Sequence, residues 1–207
     1  MTVEEIVERA AEELRIREKA IDEVMSRARR ARILSKQAIQ QVHSGAHEEA
    51  DGKLAEAATL VKDIMGYLVD RPELLGFEAV TAAYEEYAEA RIMLSLAGGG
   101  GFPEPEAVGV PITSYMLGLA DVPGELRRQT LDALKTDDLA AAESLLETME
   151  RIYLSLIAME EAPLLKGLRR KTDITRGVIE RTRSDVTAEA GRRRLDESVR
   201  RLAEKLG

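Results

Sequence analysis

A helical repeat of apolar residues runs through the start of the chain without a proline, and no other feature constrains the fold as strongly. Alanine, leucine, isoleucine and valine recur there every three or four residues, as on the buried face of an α-helix. Thr2 and Glu5 have the spacing of a capping box, and Ser44-Gly45 has the form of a helix end. The pattern therefore predicts a first helix of about 40 residues, long enough to pack along other helices or a partner subunit.

The rest of the chain keeps the same period, and no segment alternates with a period of two. We therefore predict an all-α protein, a seven-helix bundle with a long first helix. A glycine-rich connector is expected over about 97–109, within a single domain that spans residues 1–207. The six further helices are expected over 46–69, 76–96, 113–135, 138–159, 163–184 and 187–206.

The composition excludes several kinds of protein and site. The chain has no cysteine, which excludes disulfides, thiolate nucleophiles and cysteine-bound metals. Its two histidines, His43 and His47, are separated by a predicted helix end, so a histidine-based zinc site is not expected. No apolar run approaches the roughly 18 residues of a membrane span, and the acidic first residues do not form a secretory signal. We expect a cytoplasmic protein without a membrane partner.

The net charge of −8 conceals an uneven distribution of charge. Residues 37–126 contain fifteen acids and four bases, whereas residues 27–36 and 166–183 each carry a local charge of +5. Basic helical stretches either bind a polyanion or form solvated helix faces, and the sequence leaves both readings open. The candidate nucleic-acid-binding residues are Arg27, Arg29, Arg30, Arg32, Lys36, Arg169, Arg170 and Lys171.

Two pairs of carboxylates interrupt predicted helices. Glu86 and Glu89 are three residues apart, and Asp121 and Glu125 are four apart, so the members of each pair share a helix face. Pro123 and the glycine after it disfavour a regular helix beside the second pair. If the two pairs face each other across a bundle, the four carboxylates need a cation to stay ionised together. Hard oxygen ligands favour Mg²⁺ or Mn²⁺.

Other interpretations of these acids remain open at this point. Glutamate on a helix is commonly part of a solvated face, which is the simplest alternative. A di-iron site is disfavoured because it requires two Glu-x-x-His motifs, and the sequence contains none.

The segment Val110–Arg128 resembles the hallmark helix of the translin and translin-associated factor X family, of the form D-Y-x-x-G-x-A-D-x-x-G-E-L-x-R. Residues 86–90, Glu-Tyr-Ala-Glu-Ala, are similar to the family's E-Y-x-E-A motif, and Ser35-Lys36 is similar to the end of its first long helix. The resemblance covers roughly residues 17–186. It departs from the hallmark at Ser114, where aspartate is usual, and at Pro123.

The resemblance implies a seven-helix bundle and a metal-dependent endoribonuclease that acts on single-stranded RNA, with single-stranded DNA as a further ligand. It implies that Glu86, Glu89, Asp121 and Glu125 hold Mg²⁺ or Mn²⁺ and carry catalysis, with Lys36 near them. It also implies a closed homo-oligomer, roughly an octamer. Because all four acids are present, the chain resembles the catalytic factor more than translin itself.

Two further functions fit the same residues. A non-catalytic translin-like protein would bind RNA or single-stranded DNA through the basic stretches, and its acids would be structural. A helical scaffold would use the long first helix and the basic helix only for contacts between subunits. Aromatic residues make up only 3% of the chain, so binding by base stacking, and with it strong sequence preference, is not expected.

Overall fold

Helices account for the secondary structure of the protein, as the computed structural model shows for residues 1–159 and 161–206. Those residues contain seven helices of eight residues or more and no strand, which confirms the all-α prediction and the expected number of long helices. A short 3-10 turn, Pro72–Gly76, precedes α3. The helices are α1 Val3–His43, α2 His47–Asp70, α3 Glu78–Ala97, the short α4 Pro105–Val108, α5 Ile112–Leu119, α6 Val122–Lys135, α7 Leu139–Ile157 and α8 Leu168–Leu206.

The helix predicted over 113–135 is interrupted, and this is the first difference from the sequence prediction. The chain leaves the helix at Ala120 and Asp121, and α6 then begins at Val122. Pro123 occupies the first turn of α6, where a missing backbone N–H is tolerated because that amide has no intrahelical acceptor. The proline therefore opens a new helix rather than kinking a continuous one.

The helices predicted over 163–184 and 187–206 form one helix, α8, and this is the second difference. Pro163 lies in the turn that precedes α8 and not at the first position of a helix. Thr187 can cap a helix, but no proline or glycine before it ends the first segment, and the residues after it, Ala188, Glu189 and Ala190, favour a helix. The helix continues through it for this reason.

The chain divides into two compact units, Met1–Gly118 and Leu119–Gly207. The division follows α5 and not the glycine-rich connector, part of which forms α4. Within the first unit the hydroxyl of Tyr115 donates to the carbonyl of Pro103 over 2.6 Å, which ties α5 to the connector. The single domain over 1–207 stays a prediction. None of the described helices is both long and apolar enough to cross a bilayer.

In the first unit α1 packs along α2 and α3, and α2 also contacts α3. The buried face of α1 is made mostly of small side chains, among them Ala28, Ala31 and Ala38, each fully buried. Small residues let the neighbouring helices approach α1 closely, and larger side chains from those helices, such as Leu54 and Ile92, fill the space. In the second unit α6, α7 and α8 pack on one another around a separate core.

Gly118 holds α5 against α3. A Cβ atom at Gly118 would lie 2.5 Å from the carbonyl oxygen of Glu85 and 3.0 Å from the Cβ of Ala88. Both distances are shorter than van der Waals contact, so any larger residue would displace α5 from α3. The close approach sets α5 beside the stretch of α3 that carries Glu86 and Glu89.

We expect Gly118→Ala to lower the free energy of unfolding by about 1–3 kcal/mol, because the new methyl group meets backbone. Gly124→Ala in α6 is the matched control, since its Cβ would meet no atom within 4 Å. It should be neutral or stabilise by at most about 1 kcal/mol through helix propensity. Urea unfolding of both variants measures the difference, and equal stabilities would contradict the close approach.

Candidate functional site

The first acid pair lies on α3, with Glu86 and Glu89 one turn apart. The carboxylate of Glu86 pairs with Arg32 (Nε to Oε2, 3.3 Å) and with Lys36 (Nζ to Oε2, 3.7 Å). Arg32 and Lys36 are four residues apart on α1 and so share its α3-facing side. Glu89 is buried, with only 7% of its surface exposed. The packing of α1 on α3 thus places two bases beside Glu86, one turn from the buried Glu89.

Two tyrosines, Tyr84 and Tyr87, lie in the same stretch of α3 as these acids. Burial raises the pKa of Tyr84 and of Tyr87, and the nearby Arg91 guanidinium only partly opposes the rise at Tyr87. Both phenols therefore stay protonated at neutral pH. The negative charge on this stretch of α3 comes from its carboxylates and not from its tyrosines.

The second acid pair belongs to the break before α6. Asp121 precedes α6 without capping it, and Glu125 lies in its first turn. The carboxylate of Asp121 instead pairs with Lys171 of α8, whose Nζ lies 2.5 Å from Oδ2. The hydroxyl of Thr175, one turn along α8, donates to the carbonyl of Ala120 over 3.2 Å. α8 therefore holds both the backbone of the break and its carboxylate.

The two acid pairs share one arrangement, in which at least one carboxylate already faces a base from a neighbouring helix. Within either unit the described residues contain no group of three or more histidine, aspartate or glutamate side chains placed to hold a metal ion. The available donors are carboxylate oxygens, which fit Mg²⁺ or Mn²⁺ and not a soft metal. The four-carboxylate metal site stays a prediction.

The basic stretch of α1 does not form a single free surface. The guanidinium of Arg27 lies over the ring of Tyr67, 5.3 Å from the ring centroid. The side chain of Arg29, in contrast, is exposed to solvent. The acids opposite these bases lie on α2 and α3. The Arg30–Glu56 pair is exposed on both sides and is therefore weak enough to exchange for phosphate. The pairs are Arg27 with Asp63, Arg30 with Glu56, and both Arg32 and Lys36 with Glu86.

The bases at the start of α8 also differ in their surroundings, because two are exposed and one is paired with an acid. Arg169 and Arg170 are exposed, whereas Lys171 points at Asp121. Sequence reasoning placed Lys171 among the nucleic-acid-binding residues and missed its pairing with an acid 50 positions earlier. Lys171 and Thr175 are four residues apart on α8, but only the packing of α8 shows that both face the break before α6. The same reasoning missed the pairing of Arg32 with Glu86.

The chain is similar to a protein of known sequence and to several solved structures. No protein-family model matches the chain. The uncharacterized protein MJ0175 of Methanocaldococcus jannaschii is 32% identical over 166 residues, which cover 79% of this chain and 73% of that protein. A structure of AfC3PO in complex with duplex RNA is 33% identical with a TM-score of 0.81, over 90% of this chain and 97% of its own.

The chain belongs to the translin-like family. A crystal structure of AfC3PO is 35% identical, with a TM-score of 0.81 over 90% of this chain and 98% of that one. Apo-NeC3PO, at 24% identity, has the same TM-score over 88% and 96% of the two chains and shows the shared fold alone. The resemblance to the translin family that the sequence motifs indicate is therefore confirmed. Its closer resemblance to the catalytic factor stays a prediction.

We expect Lys171→Gln to lower the free energy of unfolding by roughly 1–2 kcal/mol, because it leaves a half-buried carboxylate without its base. Lys135→Gln is the control, since Lys135 pairs over 2.8 Å with Asp132 on an exposed face of α6. That variant should change stability by less than about 0.5 kcal/mol. Urea unfolding measures both, and a Lys171→Gln variant as stable as the control would show that the pair contributes nothing to the fold.

Proposed function

We propose that this protein is a divalent-metal-dependent endoribonuclease that cleaves single-stranded RNA. The observation that carries the proposal is the position of the buried Glu89 carboxylate one turn from Glu86 on α3, with Arg32 and Lys36 of α1 beside Glu86. Membership of the translin-like family supports RNA as the ligand, since its relative AfC3PO has been solved in complex with duplex RNA. Because that RNA is a duplex, the substrate test must include both strand states.

The proposal assigns the metal to four carboxylates. Glu86, Glu89, Asp121 and Glu125 would hold Mg²⁺ or Mn²⁺ through their oxygens. When bound, such an ion supplies an activated water and countercharge for the phosphate oxygens. Glu89 is the best shielded of the four from water, and a carboxylate in such surroundings attracts a cation more strongly than an exposed one does.

The bases around these acids have two tasks. Arg32 and Lys36 are half-exposed and would neutralise the charge of a phosphate group beside Glu86. Lys171 is more buried and would hold the Asp121 carboxylate in one orientation. Exposed bases such as Arg29, Arg169 and Arg170 would attract the sugar–phosphate backbone of RNA, and of single-stranded DNA as a second ligand.

We also propose that the protein works as a homo-oligomer, with the octamer suggested by the family resemblance as the expected copy number. The 41-residue α1 supports association, since it is longer than the helices that cover it within its own unit. Light scattering on the full chain measures the copy number.

The double variant Glu86→Ala, Asp121→Ala is expected to lose cleavage of a labelled single-stranded RNA in Mg²⁺ or Mn²⁺, by on the order of a hundredfold or more. The wild type should cleave a duplex of the same sequence more slowly than the single strand. Chelation of the metal should abolish cleavage by the wild type. Glu73→Ala, Glu106→Ala removes the same charge from exposed positions and should keep full activity. Equal rates for the wild type and the Glu86–Asp121 variant would overturn the catalytic assignment, provided that both unfold at the same urea concentration.

RNA affinity should fall as salt rises, because phosphate contacts release counterions. Arg169→Gln, Arg170→Gln should weaken binding and make the slope of log K against log salt shallower by about 1.4, for two lost contacts to a single strand. Arg15→Gln, Arg17→Gln removes the same charge from the acidic start of α1 and should leave the slope unchanged. Filter binding across a salt series gives both slopes, and identical slopes would remove the first pair from the RNA-binding surface.

A second candidate is an RNA-binding protein without turnover. The ion pairs of Glu86 and Asp121 favour it, because an acid that already faces a base can be purely structural. This function requires RNA binding without Mn²⁺ uptake, whereas the nuclease requires both. Titration calorimetry with Mn²⁺, on the wild type and on Glu86→Ala, Asp121→Ala, separates the two.

A further inference from the structure

α1 extends well beyond the helices that cover it. The far end of α2 lies level with Glu23, whose carboxylate accepts a hydrogen bond from the hydroxyl of Tyr67. Ala20 is the first buried residue of α1. The segment before it, Val3–Lys19, contains no buried residue and is called here the α1 overhang. It projects about 25 Å at 1.5 Å per residue.

The α1 overhang continues the apolar face that is buried further along the same helix. At 100° per residue its large apolar side chains, except Ile16, fall in a stripe about 100° wide, which lines up with buried Val24 and Ala28. Half of one apolar stripe is therefore covered by α2 and α3, and the other half is bare. The exposed large side chains of the stripe are Val3, Ile6, Val7 and Leu14.

α8 has a similar free end in the second unit. Arg192 and Arg193 pair with Asp137 in the turn between α6 and α7, and from Arg194 to Leu206 every residue is exposed. This segment is called here the α8 overhang. Its apolar side chains form a stripe about 60° wide on the side of α8 opposite the buried Thr182 and Val186. They are Leu195, Val199, Leu202 and Leu206.

The charges of the two overhangs are opposite. The α1 overhang contains six glutamates and four bases, for a net charge of −2, and five of its glutamates precede residue 14. The α8 overhang contains four bases and three acids, for a net charge of +1. An acidic helix repels RNA phosphates and anionic lipid headgroups, so its apolar stripe does not serve either of them. It fits a basic amphipathic helix, and the α8 overhang has that character.

We propose that the α1 overhang of one copy of this protein pairs with the α8 overhang of a second copy, apolar stripe against apolar stripe. Pairing of two α1 overhangs would bring glutamates together, and pairing of two α8 overhangs would bring arginines together, so the unlike pair is favoured. The contact joins different surfaces of two copies and can be repeated from copy to copy until a ring closes. It stands apart from the acid pairs and from any chemistry on RNA.

The absence of native cysteine allows a clean cross-linking test on the full chain. Val7→Cys is mixed with ¹⁵N-labelled Leu202→Cys or Leu195→Cys and treated with a short bismaleimide. We expect cross-linked dimers that contain one labelled and one unlabelled chain. Ile16→Cys is the matched control, since Ile16 is exposed on the other side of α1 and should cross-link far less.

Three results would overturn the proposal. They are dimers only between two Val7→Cys chains, no dimer in any mixture, and equal yields from Val7→Cys and Ile16→Cys. RNA cleavage by the wild type does not bear on any of them, so failure here is distinct from failure of the proposed nuclease.

A charge exchange tests the electrostatic part of the pairing. Arg194→Glu, Lys205→Glu changes two bases that flank the stripe of the α8 overhang and should weaken self-association in sedimentation by on the order of tenfold. Glu13→Lys, Glu18→Lys changes two acids that flank the stripe of the α1 overhang and should do the same. Combining the four substitutions in one chain should restore association to within a few fold of the wild type. Additive loss in the combined variant would contradict pairing between unlike overhangs.

Discussion

The close packing of α1 through small side chains is the interaction on which the first unit depends. Ala28, Ala31 and Ala38 leave room for α2 and α3 to lie directly against α1. This closeness lets the side chains of Arg32 and Lys36 reach Glu86 on α3. Larger side chains in place of these alanines would move α3 away from α1, and Glu86 away from Arg32 and Lys36. The core packing and the electrostatics of the candidate site are therefore set by the same alanines.

In the second unit, the turn between α5 and α6 positions the candidate acid Asp121. Asp121 lies in the turn between two helices, because α5 ends before it and Pro123 lies in the first turn of α6 after it. A carboxylate in a regular helix would be directed by the helix face, whereas Asp121 is directed by Lys171 and its flanking backbone is held by Thr175. Here α8, the most basic long helix, supports an acid instead of presenting all its bases to solvent.

The sequence predicts the local features well and the long-range pairings poorly. Periodicity locates α1, α2 and α7 because each is a long amphipathic helix with clear ends. It fails at Thr187, where a capping residue lies inside a helix, and at Ala120, where only the following proline marks the break. The i, i+3 and i, i+4 spacings identify the acid pairs. No spacing relates Lys171 to Asp121, because their contact depends on how α8 packs on α6.

The ion pairs at the two acid pairs have a thermodynamic consequence. In the proposed function, a cation held by Glu86 or Asp121 would compete with the base that already faces the carboxylate, and would so release that base. A polyanion bound by Arg32 or Lys36 competes with the carboxylate in the same way and releases it. The two binding equilibria are therefore linked, and each ligand must raise the affinity for the other by the same factor. Such a protein would have its charges neutralised by one another when it is free, and by the two ligands when both are bound.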